Sequence, residues 1–156
     1  MTSAQSTELA PVRYGVNEAR GVVFVTLRGN VTLGALKQVE ETLSSDPRYR
    51  AGMAIYLECR LITAMPTVSE LRTLMVRPSF TATTRSSGRV AIVSQQQEPS
   101  VNCSRNLELC KSSFAGEVRL FRAHVDARVW LGLPATVGLY QLSSVNSVER
   151  TTGDHR

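Results

Sequence analysis

The feature that most constrains this chain is an alternation in its second half. The apolar run Gly88-Arg89-Val90-Ala91-Ile92-Val93 gives way to a segment of helical period. Val118-Arg119-Leu120-Phe121-Arg122 comes next, and then a second helical segment through Val129-Trp130-Leu131-Gly132. Short apolar runs joined by amphipathic helices read as strands and helices of one α/β layer structure. These stretches fix a fold class while supplying no obvious catalytic group.

The first half extends the pattern. Val12 to Val16 and Gly21 to Leu27 read as two strands, joined by a polar turn at Asn17-Glu18-Ala19-Arg20. A helix is expected from about Thr32 to Leu43, with Leu36, Val39 and Leu43 at helical spacing and Thr32 as its cap. Asp46-Pro47 ends it, because proline disfavours helical geometry in its predecessor. Met53 to Leu57 is a third strand. Thr67 and Glu70 form a capping-box pattern ahead of Leu71, Leu74 and Met75, which announces a second helix. Pro78 is expected to stop that helix and Ser79 to Ser87 to be a flexible connection. Cys103, Leu107, Cys110 and Phe114 then trace the stripe of a third helix, ended by Gly116, and a short helix starts near Val125. Thr136 to Leu142 could add a strand, and Ser143 to Arg156 is expected to be disordered.

Length bounds the answer to one domain: 156 residues can bury a modest but sufficient core. The expected division is a flexible amino terminus over 1–11, a folded domain over 12–132 and a polar extension over 133–156. A hydrophobic fraction of 42% and a mean hydropathy of -0.08 are ordinary for a soluble globular protein. Met1 to Ala10 has neither a basic start nor an apolar stretch, so no secretory signal is read there. No apolar run approaches the roughly 18 residues of a membrane span. The expected compartment is the cytoplasm. Three cysteines, Cys59, Cys103 and Cys110, cannot all pair within one chain, in keeping with a reducing compartment. On one helix, Cys103 and Cys110 would lie about 10 Å apart, too far for a disulfide. With only His124 and His155 beside them, no zinc site and no cofactor are expected.

The net charge is +5 and the basic residues are nearly all arginine, with Lys37 and Lys111 the only lysines. Between Glu70 and Glu98 there is no acidic residue, whereas Arg72, Arg77, Arg85 and Arg89 all occur. Such a region can attract an acidic partner. The simpler reading is an ordinary solvated face. No aromatic stacking platform is interleaved with the arginines, which argues against nucleic acid.

The order of elements resembles the STAS superfamily, and the uncharacterised SpoIIAA-like bacterial proteins within it. The residues carrying the resemblance are Asp46-Pro47-Arg48-Tyr49, Gly52-Met53, Gly88 to Val93, Val118 to Arg122 and Ala127-Arg128-Val129-Trp130-Leu131-Gly132. The resemblance covers about Val12 to Gly132. The resemblance implies a mixed sheet of about five strands with about four helices, mostly on one face, and a role in binding or signalling without catalysis. Proteins similar to anti-sigma-factor antagonists switch partners through a phosphorylated serine at the amino end of the helix after strand three. Their Asp-Ser-Ser-Gly-like motif is absent from the corresponding region, Leu57 to Ser69. Thr67 and Ser69 are the nearest hydroxyls. A helix amino terminus suits a phosphate, but Thr67 followed by Glu70 is already explained as a cap.

Other chemistry has a plain competitor at every position. His124 and Asp126, at the mouth of the last helix, could pair as a general base and its carboxylate, or could simply polarise a helix start. Cys59, beside Arg60, could be a reactive thiol or a buried core residue. Met53, Leu61, Met65, Leu74, Met75 and Phe80 could line an apolar pocket between helices and sheet, or a plain core. The expected function is a non-catalytic regulatory or protein-interaction module, dimeric or bound to an acidic protein through Arg72 to Arg89. The alternative is a carrier or sensor of a small, lipid-like apolar ligand.

Overall fold

The computed structural model describes residues 10–134, with the side chains of Ser79, Thr83, Thr84 and Arg85 left outside it. The extensions expected at 1–11 and 133–156 therefore lie almost wholly outside the described residues, as do Thr136 to Leu142 and Ser143 to Arg156. Five strands form one mixed sheet: β1 (Val12–Asn17), β2 (Val22–Asn30), β3 (Ala54–Ala64), β4 (Val90–Val93) and β5 (Val118–Phe121). They lie side by side in chain order, β1 antiparallel to β2 and all later neighbours parallel. The hairpin turn closes where the Asn17 side chain accepts a hydrogen bond from the Arg20 amide at 3.1 Å and Gly21 takes φ +67°. That left-handed geometry is open to glycine at little cost.

Helices α1 (Leu33–Ser44), α2 (Val68–Met75), α3 (Pro78–Arg85) and α4 (Ser100–Glu108) pack on one face of the sheet. Their apolar residues, among them Leu36, Leu71, Met75, Phe80 and Leu107, meet Leu27, Ile55, Leu57, Ile62, Val90 and Ile92. Thr32 caps α1 by accepting from the Ala35 amide at 3.1 Å. A short helix α5 (His124–Trp130) is the described cover of the opposite face. There Ala127 and Leu133 join Val22, Phe24, Tyr56, Ala91 and Val93 in a second core.

Two expectations are corrected. Ser79 to Ser87 is not a flexible connection: α3 occupies most of it, which brings the helix number to five among the described residues. Pro78 does end α2, but a proline at a first helical position is also preset for starting one. Phe80 then anchors the new helix against the core. Nor do Cys103 and Cys110 share a helix. The α4 ladder ends at Glu108, and Cys110 flanks a separate 3-10 turn at Lys111–Ser113 while still buried.

The Asp46-Pro47-Arg48-Tyr49 stretch works as a tether. The Tyr14 hydroxyl donates to Asp46 Oδ2 at 2.8 Å, and Arg48 donates to both Asp46 oxygens at 3.1 and 2.9 Å. The Arg48 hydrogen bonds hold the Asp46 carboxyl well below the usual carboxylate range. Burial, with the Asp46 carboxylate as acceptor, pushes the Tyr14 phenol up to about 12. Charge-assisted bonds of this kind tie β1 to the end of α1.

At the amino edge of the parallel strands, backbone packs on backbone. A Cβ on Gly116 would stand 1.9 Å from the Gly88 carbonyl oxygen, whereas one on Gly34, in the first turn of α1, would meet nothing nearer than 4.0 Å. Gly116→Ala is therefore expected to lower stability by about 3 kcal/mol in urea unfolding, since rigid backbone cannot yield. Gly34→Ala is expected to raise it by about 0.5–1 kcal/mol. Equal effects would show that the glycine contact is not what spaces these strands.

Candidate functional site

The sheet's two faces are built from alternate residues, so one residue of shift exchanges them. In β3 the pairing runs Thr26 with Glu58 and then Arg28 with Leu61, so β3 carries one extra residue there. This is a β-bulge. Before it, Leu57 and Cys59 face the helical core and Glu58 faces away. Beyond it, Ile62 rejoins that core and Leu61 is 57% exposed.

The extra residue lets Arg60 fold back on Glu58. The Arg60 amide and Nε donate to Glu58 Oε2 at 3.0 and 2.8 Å, and Nη2 donates to Oε1 at 3.0 Å. Glu58 is buried, and a buried carboxylate costs several kcal/mol unless paired and hydrogen-bonded in this way. The same bonds hold the Arg60 guanidinium firmly in its charged form.

α5 contributes His124 and Arg128, one turn apart and on one side. Arg128 is buried, and its Nη1 lies 2.8 Å from His124 Nδ1. A guanidinium only donates, so Nδ1 is the acceptor and the imidazole proton sits on Nε2. Burial, followed by Arg128 and Arg60, lowers the His124 pKa from its ordinary 6.5. Beneath the helix, Tyr56 is fully buried, its ring tilted against Phe24 at 5.5 Å between centroids. Its hydroxyl has no hydrogen-bond partner among the described residues. Burial first, and then the Glu58 charge, pushes its pKa up.

α5 packs against β4 and β5, and with Leu133 it joins the cluster that buries Val22, Phe24 and Tyr56; farther along the same face Arg13, Thr26 and Arg28 are only partly buried. Arg13 and Gly15 from β1, Phe24, Thr26 and Arg28 from β2 and Glu58 from β3 surround a cleft there of about 170 Å³. The arrangement is a strongly cationic surface with a buried phenol, a neutral imidazole and one already neutralised carboxylate.

The residues singled out in the sequence lie mostly elsewhere. Arg72 donates to the Leu109 carbonyl at 3.4 Å and Arg77 pairs with Glu41 at 3.1 Å, both on the helical layer. Arg89 donates to the Trp130 carbonyl and lies 4.9 Å over the Trp130 ring, which Arg119 also approaches at 5.2 Å. The Arg85 side chain is outside the description. The three described arginines are not gathered on one patch. Thr67 and Ser69 are exposed at the start of α2, where Thr67 and Glu70 form the reciprocal capping box. His124 contacts Arg128 and not Asp126, and the Glu58 charge that favours its protonation ranks below burial, Arg128 and Arg60, which oppose it. Cys59 is fully buried on the helical side, and burial drives its thiol pKa upward, away from reactivity.

Leu74, Met75 and Phe80 do line an apolar cavity, of about 100 Å³, between the sheet and helices α1 to α4. Met53 belongs to another cluster with Val16, Val23 and Leu43, while Met65 packs against the helix-side core. Among the described residues there is no group of side chains suited to a metal ion, and no helix is long and apolar enough to cross a membrane. Arg13, Arg28, Glu58 and Arg128 escaped the sequence reading as site residues, and Arg60 entered it only as the neighbour of Cys59. Their signal was period two: Arg13 faces away from its buried neighbour Val12, and Thr26 and Arg28 continue the Val22–Phe24 face as polar residues.

No family model matches the chain, and no curated protein matches it. Among solved structures it is similar to an uncharacterised protein from the DUF3478 family, with a SpoIIAA-like fold, from Shewanella loihica PV-4. The two are 15% identical, the match covers 80% of this chain and 97% of that chain, and the TM-score is 0.57. The likeness is one of fold.

Because His124 is held neutral with a lowered pKa, its protonation favours the unfolded chain. The sign follows: stability is full above 6.5 and declines as the pH falls from there through the lower folded-state value. His124→Gln should flatten that part of the profile, read as urea midpoints at about pH 7.5 and about pH 5.5. An unchanged slope would place the titration on another group.

Proposed function

From a SpoIIAA-like fold with a cationic cleft on one sheet face, we propose that the chain is a non-catalytic, regulatory protein-interaction module of STAS-like type with an acidic partner. The observation that carries this reading is the cleft lined by Arg13, Arg28 and Glu58, to which α5 contributes no residue. The cleft carries Arg13 and Arg28, and Leu61, which pairs with Arg28 in the sheet, is exposed beside them. Cations around an apolar residue are the composition of a docking surface for a negatively charged protein. The Arg72 to Arg89 region fits the role less well, because each of its described guanidiniums already has an acceptor or a ring to lie against. Its likeness to the uncharacterised Shewanella protein supports the fold behind this reading.

A second reading, a sensor of a small apolar ligand, draws on the cavity beneath α1 to α4. Its volume of about 100 Å³ is below the ~150 Å³ that admits benzene in a dry protein cavity, so an acyl chain does not fit it as it stands. The interaction reading is therefore preferred.

Native mass spectrometry of the protein purified gently from its own source tests the choice. The expected species is this chain bound to an acidic protein, lost with Arg28→Glu and kept with Arg72→Glu. A bare monomer throughout, or a complex indifferent to Arg28→Glu, would overturn the proposal. A monomer carrying a small apolar adduct would favour the cavity.

A further inference from the structure

We infer that the cleft bounded by Arg13, Thr26 and Arg28 is a binding site for a phosphate-type dianion, a small phosphate monoester being the class of ligand that fits it. The inference rests on the cationic-cleft reading above but needs no protein partner.

Three donors converge on the cleft without acceptors. The guanidiniums of Arg13 and Arg28 and the hydroxyl of Thr26 have no hydrogen bond or ion pair among the described residues. The register explains the convergence. Arg13 lies opposite Thr26, and Arg28 is the next residue of β2 on the same face, a diagonal neighbour of Arg13. Diagonal partners on adjacent strands are about 7–8 Å apart, close enough for long side chains to share one ligand. Like charges so placed repel until an anion sits between them.

The acid in the cleft does not cancel this field. Glu58 already spends both oxygens on Arg60, at 2.8 and 3.0 Å, so its charge is compensated locally. Among the described residues, the guanidiniums of Arg13 and Arg28 remain without a paired acid. A monocarboxylate would neutralise one, whereas a phosphate dianion neutralises both and accepts from each fork in the planar geometry that arginine offers. The Thr26 hydroxyl supplies a further donor from the floor. Depth comes from Gly15, which lies opposite Phe24 and has no side chain to fill the space.

Size sets the upper limit. The cleft holds about 170 Å³, well under the ~300 Å³ at which pockets for drug-sized ligands begin. A phosphate with a short substituent fits; a nucleotide would project far into solvent.

The experiment is an amide-resolved NMR titration of the full chain with inorganic phosphate, in a phosphate-free buffer at constant ionic strength. Saturable shifts at Gly15, Thr26, Arg28 and Glu58 are expected. Affinity should fall about tenfold or more in Arg28→Gln, and further with Arg13→Gln added, since a charge-assisted bond is lost each time. Unshifted amides elsewhere verify the fold, and Arg28→Lys, which keeps charge but loses the fork, should bind at an intermediate level. Arg20→Gln, on the hairpin turn, should bind as the unaltered protein does. Glycerol phosphate and a phosphoserine peptide, titrated in parallel, distinguish a free monoester from a phosphorylated chain as the source. Shifts that never saturate, that acetate reproduces at equal concentration, or that survive in the double variant would overturn the site. A native partner complex that persists in the double variant while phosphate binding disappears would uphold the site and separate it from the protein-docking reading.

Discussion

One extra residue in β3 decides how this molecule is arranged. Without the bulge between the Thr26–Glu58 and Arg28–Leu61 pairs, strict alternation would send Ile62 to the open face and Leu61 into the helical core. With it, the strand crosses from one side of its pairing to the other, and the displaced backbone lets Arg60 turn back on its own strand. The carboxylate of Glu58 can then sit buried on the sheet face whose cover, among the described residues, is the short helix α5. Register, ion pair and cleft are a single event seen at three scales.

The two faces accordingly do different work. The helical side buries long aliphatic residues under four helices, and each fully buried leucine or isoleucine there contributes roughly 1.5–3 kcal/mol. The second side is held by a smaller core around Tyr56, Ala91, Val93 and Ala127, closed at its rim by Trp130 against Phe121, Arg89 and Arg119. Stability can therefore rest on one side while the other keeps polar and charged groups close to solvent. Such a division leaves a binding surface free to vary without endangering the fold.

Much of the architecture was legible in the residues. Strand runs such as Val90 to Val93 are buried on both faces and read as continuous apolar segments, and Thr67 with Glu70 announced α2 through their reciprocal bonds. α3 was not legible, because serine and threonine are poor helix formers and only Phe80 marks its buried side. The site was the least legible part. Arg13, Arg28 and Glu58 lie 15 and 30 positions apart in the chain, and they meet only because three strands pair in register. Linear spacing drew attention instead to Arg72, Arg77, Arg85 and Arg89, which neighbour one another in sequence. The described three of them face different elements. The bulge itself has no local signature, since Cys59 and Arg60 look like any strand residues.

The position of α5 in the chain has a further consequence. It is the last described element, so a ribosome completes the whole sheet and all four helices of the opposite layer before it supplies the cover for Val22, Phe24, Tyr56, Ala91 and Val93. Synthesis proceeds at about 5–20 residues per second, which is slow beside hydrophobic collapse. From the end of β5 at Phe121 to the end of α5 at Trp130 synthesis takes roughly 0.5–2 s, and through that interval the nascent sheet lacks the described cover of its second apolar face.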